Sequence, residues 1–273
     1  MRWKKFLKRT CITLVILYPV VGVLLYFFQE KFIFHPEVMK QTAPYSFNIP
    51  HTEMNIDLPE HDYNIIQFQP SFIDSSNKKL VLYFHGNMTN ISHYAGFAPY
   101  FTKHGYEVWM IDYPGYGKSR GRLTEKSIYH GAFVLYDTAI ARGYKPENII
   151  IYGKSLGTGV ASCLASQKKC RRLILETPYY SMPTLAKSYF PIYPSVIVKY
   201  NFPVYEYVQQ VQAPVSVFHG TADGTIPYSN SSQLKPLLKT KDEYITIPGA
   251  DHNNLYDFNL MRNKIDSLMS LQM

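Results

Sequence analysis

A single serine stands in a setting that suits nucleophilic chemistry. Residues 153–157 read Gly-Lys-Ser-Leu-Gly, and they lie between an apolar, strand-like segment at 148–152 and a helix-like segment. A serine at such a strand–turn–helix junction adopts strained dihedral angles, and glycines two residues away let strand and helix pass closely. A serine hydroxyl attacks carbonyl carbons once a base removes its proton. The pattern therefore predicts a nucleophile at Ser155.

The base and its carboxylate partner are expected in later loops at the same edge of the sheet. His252 follows the last strand-like segment and precedes the last helix-like one, and Asp223 follows the strand-like segment at 215–218. The chain order serine, aspartate, histidine differs from the orders in chymotrypsin and subtilisin. We predict Ser155, Asp223 and His252 as a catalytic triad.

Two other aspartates compete for the role of orienting carboxylate. Asp251 adjoins His252, but neighbours on a short loop rarely present a carboxylate to Nδ1 of the next ring. Asp242 precedes the last strand, which puts it at the opposite edge of the sheet. Among the other histidines, His85 and His219 occur in His-Gly pairs that favour turns, and the rest lack a strand-end position.

Acyl transfer also needs hydrogen-bond donors for the oxyanion. One donor is expected to be the backbone N–H of Leu156, directly after the nucleophile. The second is expected in the loop after the segment 79–84, where the N–H of Asn87 is favoured and that of Met88 is the alternative. Asp112 begins a Gly-Pro turn, and we interpret it as holding that turn together rather than as catalytic.

Strand-like and helix-like segments alternate along the chain, which predicts βαβ units and a doubly wound, mostly parallel sheet. The middle strands are nearly continuous apolar runs, as in strands buried on both faces. The first two are joined by a short turn, which favours an antiparallel edge. The predicted strands are 53–58, 63–69, 79–84, 107–111, 148–152, 172–176, 215–218 and 244–247. The predicted helices are 92–103, 124–142, 156–166, 229–239 and 254–271.

One segment interrupts this alternation. Residues 177–212 lie between two core strands and are too long for an ordinary connection. From 178 to 207 the segment carries seven tyrosines and five prolines but few charges. We predict that residues 178–211 form a cap that lines an apolar pocket. The alternative is an aromatic excursion that packs only for stability.

The N-terminal segment combines a basic cluster with an apolar run. Residues 12–28 are uncharged, and as a helix they would rise about 26 Å, at the short end of what spans a bilayer. The basic cluster before them puts the N-terminus in the cytoplasm by the positive-inside rule. This predicts a basic tail at 1–11, a transmembrane anchor at 12–28, a connector at 29–50 and a catalytic domain at 51–273 on the non-cytoplasmic side. A cleaved signal peptide is the alternative, although the bulky residues at 26–30 do not fit a cleavage site.

The formal net charge of +8 does not indicate a nucleic-acid partner. Five basic residues lie within the first nine positions, and without them the chain has 23 basic against 20 acidic residues. A nucleic-acid-binding protein keeps its basic stripe on the folded domain. We therefore expect a membrane and a small-molecule or acyl-chain substrate as partners, and no nucleic acid.

With these motifs together, the chain resembles the α/β-hydrolase superfamily, and within it the membrane-anchored α/β-hydrolase-domain proteins. The resemblance runs from about Lys31 to the C-terminus. It rests on His-Gly-Asn at 85–87, Asp-Tyr-Pro-Gly-Tyr-Gly-Lys-Ser at 112–119, Gly-Lys-Ser-Leu-Gly at 153–157, His-Gly-Thr-Ala-Asp at 219–223 and Asp-His-Asn at 251–253. It implies an α/β-hydrolase fold with an eight-stranded sheet and a small cap, and a serine esterase, thioesterase or lipase-like hydrolase without metal or cofactor. Thr158 departs from the glycine often found after the serine motif, which bears on the shape of the pocket.

The sequence thus predicts hydrolysis of a carboxylic ester or thioester through an acyl-enzyme, on an acylated or lipidic substrate. A serine peptidase of the same fold and a catalytically silent, membrane-tethered binding protein are the alternatives. Asn87, Asn90 and Asn230 match the glycosylation pattern, and a glycan on Asn87 would obstruct the expected oxyanion loop. This favours a bacterial inner membrane, with the catalytic domain at its periplasmic face.

Overall fold

The structure is a computed structural model of the 273-residue chain. It describes residues 2–70, 72 and 77–270. The first residue of the predicted tail, Met1, and the end of the last predicted helix, at Leu271, lie outside the described residues.

The strands follow the apolar runs of the sequence. All eight predicted strands are present, with ends that differ by at most two residues. Three further strands have two residues each, which is too short to give a periodic signal in the sequence. The strands are β1 (His35–Pro36), β2 (His51–Asp57), β3 (His61–Phe68), β4 (Lys79–Phe84), β5 (Met88–Thr89), β6 (Tyr106–Ile111), β7 (Arg120–Gly121), β8 (Ile149–Lys154), β9 (Arg172–Glu176), β10 (Val215–Gly220) and β11 (Glu243–Ile247).

The principal strands form one mostly parallel sheet in the order β11-β10-β9-β8-β4-β6-β3-β2. Strand β3 is antiparallel to both of its neighbours, β2 and β6, which gives the expected antiparallel edge. The other principal pairs are parallel. The short strand β7 also pairs with β3, so the sheet has nine strands where eight were predicted. Strands β1 and β5 form a separate parallel pair.

Several predicted helices are divided in the structure. The segment predicted at 92–103 forms two one-turn helices around a 3₁₀ turn, and the segment at 229–239 continues as a 3₁₀ helix that contains Pro236. The last helix begins at Asn259 rather than at residue 254. The helices are α1 (Arg2–Ile33), α2 (Ile91–Tyr94), α3 (Pro99–Thr102), α4 (Glu125–Ala141), α5 (Gly157–Gln167), α6 (Met182–Tyr189), α7 (Val204–Gln210), α8 (Tyr228–Ser231) and α9 (Asn259–Ser270).

Two apolar cores cover the two faces of the sheet, as a doubly wound fold requires. Residues of α4 and α5, such as Leu135 and Val160, pack on one face. Residues of α3 and α9, such as Phe101 and Ile265, pack on the other. Every residue of β8 and β10 is buried between these layers. The loops after β8, β10 and β11 therefore emerge at the same edge of the sheet.

Helix α1 is longer than the predicted anchor. It begins at Arg2 and ends at Ile33, so it takes in most of the predicted tail and the first part of the connector. Between the charges of Arg9 and Glu30 it has 20 uncharged residues, which rise about 30 Å and match the hydrocarbon thickness of a bilayer. The helix is thus a candidate membrane span by its length and composition.

Candidate active site

The turn between β8 and α5 has the geometry that the glycine pattern predicts. Ser155 adopts a positive φ of 52°, a strained conformation for a residue with a side chain. A Cβ on Gly153 would overlap the carbonyl oxygen of Gly157, and a Cβ on Gly157 would overlap that of Phe84. The Ser155 N–H is fixed by a 2.9 Å hydrogen bond to the carbonyl of Glu176 at the end of β9. The serine is thereby held at a fixed position above the sheet.

The structure brings Ser155, His252 and Asp223 into one chain of hydrogen bonds. His252 Nε2 lies 3.0 Å from Ser155 Oγ, and His252 Nδ1 lies 2.8 Å from Asp223 Oδ2. Because an ionised carboxylate can only accept, the proton of the neutral ring belongs on Nδ1. Nε2 is then free to accept the serine proton. All three side chains are buried among the loops at this edge.

The loop after β10 holds the Asp223 carboxylate in place. Its Oδ1 accepts hydrogen bonds from the N–H groups of Thr225 (2.9 Å) and Ile226 (2.7 Å), which leaves Oδ2 for the histidine. His219 donates from Nε2 to the carbonyl of Ile226 at 2.9 Å and lies 3.4 Å from Asp223 Oδ2. Burial lowers the pKa of His219 below its ordinary value, although the Asp223 charge acts in the opposite direction. Folding therefore makes the ring of His219 harder to protonate than it is in the unfolded chain.

The lowered pKa of the buried His219 ring makes folding sensitive to acid. Between about pH 6.5 and the lowered pKa of the folded state, the unfolded chain binds more protons at this histidine than the folded chain does. The contribution of the unprotonated ring to the free energy of unfolding is present above about pH 6.5 and is lost as the pH falls through this range. The amide of His219→Gln can still donate to Ile226. In this pH range we expect the free energy of unfolding of the variant to fall by roughly 1 kcal/mol less per pH unit than that of the wild type. Denaturant unfolding in mild detergent measures this, with the exposed His93→Gln as the control that should behave like the wild type.

The competing aspartates have other partners. Asp251 Oδ1 accepts from the N–H of Gly224 at 3.0 Å and from that of His252 at 2.7 Å, and these bonds lower its pKa. Asp242 accepts from the N–H of Val215, the first residue of β10, and therefore lies at the opposite edge of the sheet. Only Asp223, of these three, is bonded to the imidazole of His252.

The two backbone N–H groups considered as oxyanion donors, those of Asn87 and Met88, lie in the loop after β4. The N–H of Met88 donates to the hydroxyl of Tyr94 at 3.3 Å. The carbonyl of Asn87 accepts from the N–H of His35 (3.0 Å) and from the hydroxyl of Tyr116 (2.9 Å), which fixes this part of the loop. The Met88 amide thus has a partner within the loop, so the Asn87 amide remains our candidate for the second oxyanion donor.

Asn87 and Leu156 line the same cavity as Ser155. A Cβ on Gly86 would lie 3.4 Å from the Cβ of Ser155, so this loop passes directly beside the serine. Thr158 is buried and donates to the carbonyl of Ser155 at 2.6 Å. Thr158 is outside the cavity lining, so its contact acts on the turn rather than on the pocket wall.

A cavity of about 290 Å³ opens at Ser155, at the low end of the size range of ligand pockets. The insertion predicted as a cap supplies much of its wall, and the end of α1 supplies another part. Most of the lining side chains are apolar. They include Leu25, Phe32, Ile33, Tyr179, Met182, Pro183, Leu185, Ala186, Phe190, Pro194, Ile197, Val198 and Ile226.

A buried ion pair beneath the turn was not predicted from the sequence. Lys154, the residue before the nucleophile, pairs with Glu176 at the end of β9, and both side chains are almost fully buried. Lys154 Nζ also donates to the carbonyl of His252 at 3.3 Å, and the hydroxyl of Tyr152 donates to Glu176. The available signal was a lysine and a glutamate, each at the carboxyl end of a strand whose central residues are apolar.

Asp112 is bonded to other parts of the loops at this edge. Its Oδ1 accepts from the N–H of Ile91 at 2.9 Å, and its Oδ2 lies 3.3 Å from the hydroxyl of Tyr45. His85 Nε2 lies 3.4 Å from Oδ1. These contacts tie the turn to neighbouring segments, in agreement with its interpretation as a structural carboxylate.

Three features define the class of fold. The sheet is mostly parallel, a strained serine turn follows a central strand, and later loops at the same edge carry an aspartate and a histidine. The chain has the α/β-hydrolase fold. A family model of the alpha/beta hydrolase fold matches residues 79–203. The chain is 32% identical over 186 residues to alpha/beta hydrolase domain-containing protein 17C of Xenopus tropicalis, which covers 64% of this chain and 56% of that protein. It is 31% identical over 191 residues to the protein of the same name from Mus musculus, covering 66% and 56%. The chain thus spans about half the length of these relatives.

Solved structures show the same fold. An esterase from Pyrococcus furiosus superposes with a TM-score of 0.67 at 17% identity, covering 87% of this chain and 97% of that one. An α/β-hydrolase from Vibrio vulnificus superposes with a TM-score of 0.66 at 20% identity, covering 81% and 80%. The α/β-hydrolase fold expected from the sequence motifs is confirmed.

Proposed function

We propose that this protein is a membrane-associated serine hydrolase that cleaves carboxylic esters or thioesters through an acyl-enzyme. The arrangement of Ser155, His252 and Asp223 at the mouth of an apolar cavity carries the proposal. A serine, a base and an orienting carboxylate in hydrogen-bond contact are the parts that acyl transfer requires.

In the first half of the reaction His252 Nε2 takes the hydroxyl proton while Ser155 Oγ attacks the carbonyl carbon. The carbonyl π electrons move onto the oxygen, and the N–H groups of Leu156 and Asn87 stabilise the resulting oxyanion. Asp223 stabilises the imidazolium. The tetrahedral intermediate collapses, its bond to the leaving oxygen or sulfur breaks, and the leaving group takes the proton from His252.

In the second half a water molecule replaces the leaving group. His252 removes a proton from the water, whose oxygen attacks the acyl carbon. The bond to Ser155 Oγ then breaks, and the serine recovers its proton from His252. The products are a carboxylic acid and the free enzyme, and these steps use only the residues of the site.

The apolar wall of the cavity favours an acyl chain as the part of the substrate that is bound. The aromatic and aliphatic side chains of the cap and of α1 offer few polar partners for a peptide backbone. A serine peptidase of the same fold is therefore the weaker alternative. This inference also suits a substrate that is acylated or lipidic.

The basic residues at the start of α1 set the proposed topology. The uncharged stretch is preceded by five basic residues, Arg2, Lys4, Lys5, Lys8 and Arg9, and is followed by the rest of the chain. By the positive-inside rule the N-terminus lies in the cytoplasm and the catalytic domain on the other side of the membrane. The periplasmic face of a bacterial inner membrane fits this topology.

A fluorophosphonate probe tests the proposed function. The full chain in mild detergent should react covalently with the probe and lose ester hydrolysis in proportion to labelling, because the probe is captured by an activated serine. Ser155→Ala should not react. A folded protein that remains unlabelled would instead be a binding protein, and faster cleavage of an aminoacyl amide than of the matched ester would identify a peptidase.

A further inference from the structure

The second half of α1 packs along the tip of the cap. The rings of Tyr18 and Tyr193 stack with their centroids 4.9 Å apart and their planes at 5°. The Tyr18 hydroxyl donates to the carbonyl of Ile192 at 3.0 Å, and the Tyr193 hydroxyl donates to the carbonyl of Tyr18 at 3.2 Å. Gly22 makes room for this contact, since a Cβ there would lie 3.3 Å from the Tyr193 ring. The helix and the cap are therefore joined by specific contacts.

Gln29 joins the same two elements closer to the catalytic domain. Its side-chain amide donates to the carbonyl of Ile197 at 3.1 Å, and its side-chain oxygen accepts from the N–H of Lys199 at 2.7 Å. Gln29 is the buried residue of α1. Backbone groups that face lipid must be satisfied within the protein, and here the polar side chains of the apolar helix satisfy those of the cap.

The contacts indicate how far the cap extends along the helix. Lys199 Nζ lies 4.7 Å from the centre of the Tyr26 ring, and a lysine beside a tyrosine is typical of the membrane–water interface. Tyr18 lies eight residues earlier on α1, which is about 12 Å along the helix axis. The part of the cap that touches Tyr18 would therefore reach well into one leaflet.

The surface of the cap tip, defined here as residues 188–198, suits that depth. The tip has no charged side chain, and its Ile192 and Val196 are 70% and 85% exposed. Pro191 and Pro194 carry no N–H that would need a partner in lipid. A water-facing loop would normally be polar, whereas this one presents large apolar side chains next to a candidate membrane span.

The cavity at Ser155 extends between these two elements. Leu25 and Phe32 from α1 form one part of its wall, and Phe190 and Ile197 from the cap form another. Phe32 and Phe190 are also exposed on the outer surface. The cavity therefore opens on the face where the helix and the cap tip meet.

From these contacts we propose that the cap tip and the part of α1 from Tyr18 to Tyr26 are immersed together in one leaflet. The acyl chain of a membrane-resident ester or thioester reaches Ser155 directly from that leaflet, between helix and cap. The inference rests on the proposed function and adds that α1 is a wall of the acyl site as well as a tether. The acyl chain then never has to cross water on its way to the nucleophile.

Two neighbouring leucines of α1 allow a matched test of the wall. Leu25 lines the cavity, whereas Leu24 is exposed and does not. The full chain is placed in phosphatidylcholine vesicles that contain butanoyl to hexadecanoyl esters or the corresponding thioesters. Leu25→Trp should reduce hydrolysis of the long-chain substrates by about tenfold or more, because an indole fills space that the chain would occupy. The loss should grow with chain length, so that the ratio of hexadecanoyl to butanoyl hydrolysis falls, whereas Leu24→Trp should match the wild type throughout.

The outcomes separate this inference from the proposed function. If the wild type cleaves neither esters nor thioesters, the proposed function fails. If it cleaves them but the two tryptophan variants give the same chain-length profile as the wild type, α1 is not a wall and the inference alone fails. A long-chain loss with Leu25→Trp that is absent with Leu24→Trp supports it, and the ester and thioester series show which linkage is preferred.

Immersion of the cap tip has a readout that does not depend on catalysis. Val196→Cys is labelled with an environment-sensitive fluorophore in a chain whose Cys11 and Cys170 are replaced by serine. Spin-labelled acyl chains in the vesicle should quench this fluorophore strongly. The same label at Ile140→Cys, on the far end of α4, should not be quenched. Equal, weak quenching at both positions would overturn the immersion of the tip.

Discussion

Replacing Ser155 by alanine is expected to lower kcat for a p-nitrophenyl ester by roughly 10⁶-fold. The variant keeps the cavity, the amides of Leu156 and Asn87 and the base His252, but it has no oxygen that can form the acyl-enzyme. The residual rate then comes from water activated without the covalent step. Initial rates of hydrolysis by the full chain in mild detergent measure the loss.

A buried serine in the helix that follows the turn, α5, provides the matched control. Ser162 is also buried, and its hydroxyl donates to the carbonyl of Thr158 at 2.7 Å, away from His252. Ser162→Ala should keep kcat within about twofold, because alanine is the better helix former and no catalytic contact is lost. If Ser155→Ala turned the substrate over at the wild-type rate, Ser155 would not be the nucleophile.

The triad should also behave as one unit. His252→Ala and the double variant Ser155→Ala/His252→Ala are expected to lose about as much activity as Ser155→Ala alone, since either loss closes the same path. Asp223→Asn should cost roughly 10⁴-fold, because an amide can hold the ring in the wrong tautomer. Losses that multiply in the double variant would show that serine and histidine act independently.

The sequence was sufficient for the parts of this site that depend on local pattern and chain order. Continuous apolar runs located the buried strands, and the glycines at 153 and 157 located the sharp turn after one of them. Parallel strands bring their carboxyl ends to one edge, so Asp223 and His252 could be assigned from the strands that they follow. The α/β-hydrolase fold predicted in this way is confirmed by the family model and by the solved structures.

Features that depend on contacts between distant segments could not be obtained in this way. The choice between the amides of Asn87 and Met88 depends on a hydroxyl of α2 that accepts from Met88. The predicted span begins at residue 12, because hydropathy excludes the charged residues before it. Lysines and arginines are good helix formers, so α1 nevertheless extends back through the basic tail. The packing of the cap on Tyr18 leaves no periodic trace in either segment.

The ion pair of Lys154 and Glu176 is another such contact, and it is placed to affect both stability and catalysis. The two residues end neighbouring strands, β8 and β9, and the backbone carbonyl of Glu176 also fixes the Ser155 N–H. Lys154 Nζ donates to the carbonyl of His252, so one ammonium connects the turn of Ser155 with the loop of His252. We therefore regard Lys154 as a positioning residue for His252.

Lys154→Met should lower the free energy of unfolding by about 3–5 kcal/mol, because it leaves the buried carboxylate of Glu176 without its cation. It should also lower kcat by roughly tenfold to a hundredfold through displacement of the His252 loop, while KM stays near the wild-type value because the cavity wall is untouched. Denaturant unfolding in mild detergent and steady-state kinetics measure the two effects separately.

The double variant Lys154→Met/Glu176→Gln separates these two roles. Removing both charges should recover most of the lost stability, since no unpaired buried charge remains. It should not recover kcat, because the bond to the His252 carbonyl is still missing. The surface pair of Lys168 and Asp137, with side chains 30% and 60% exposed, supplies the control, and Lys168→Met should cost less than about 1 kcal/mol and leave kcat unchanged. A kcat that returns together with stability in the double variant would show that Lys154 supports the fold alone.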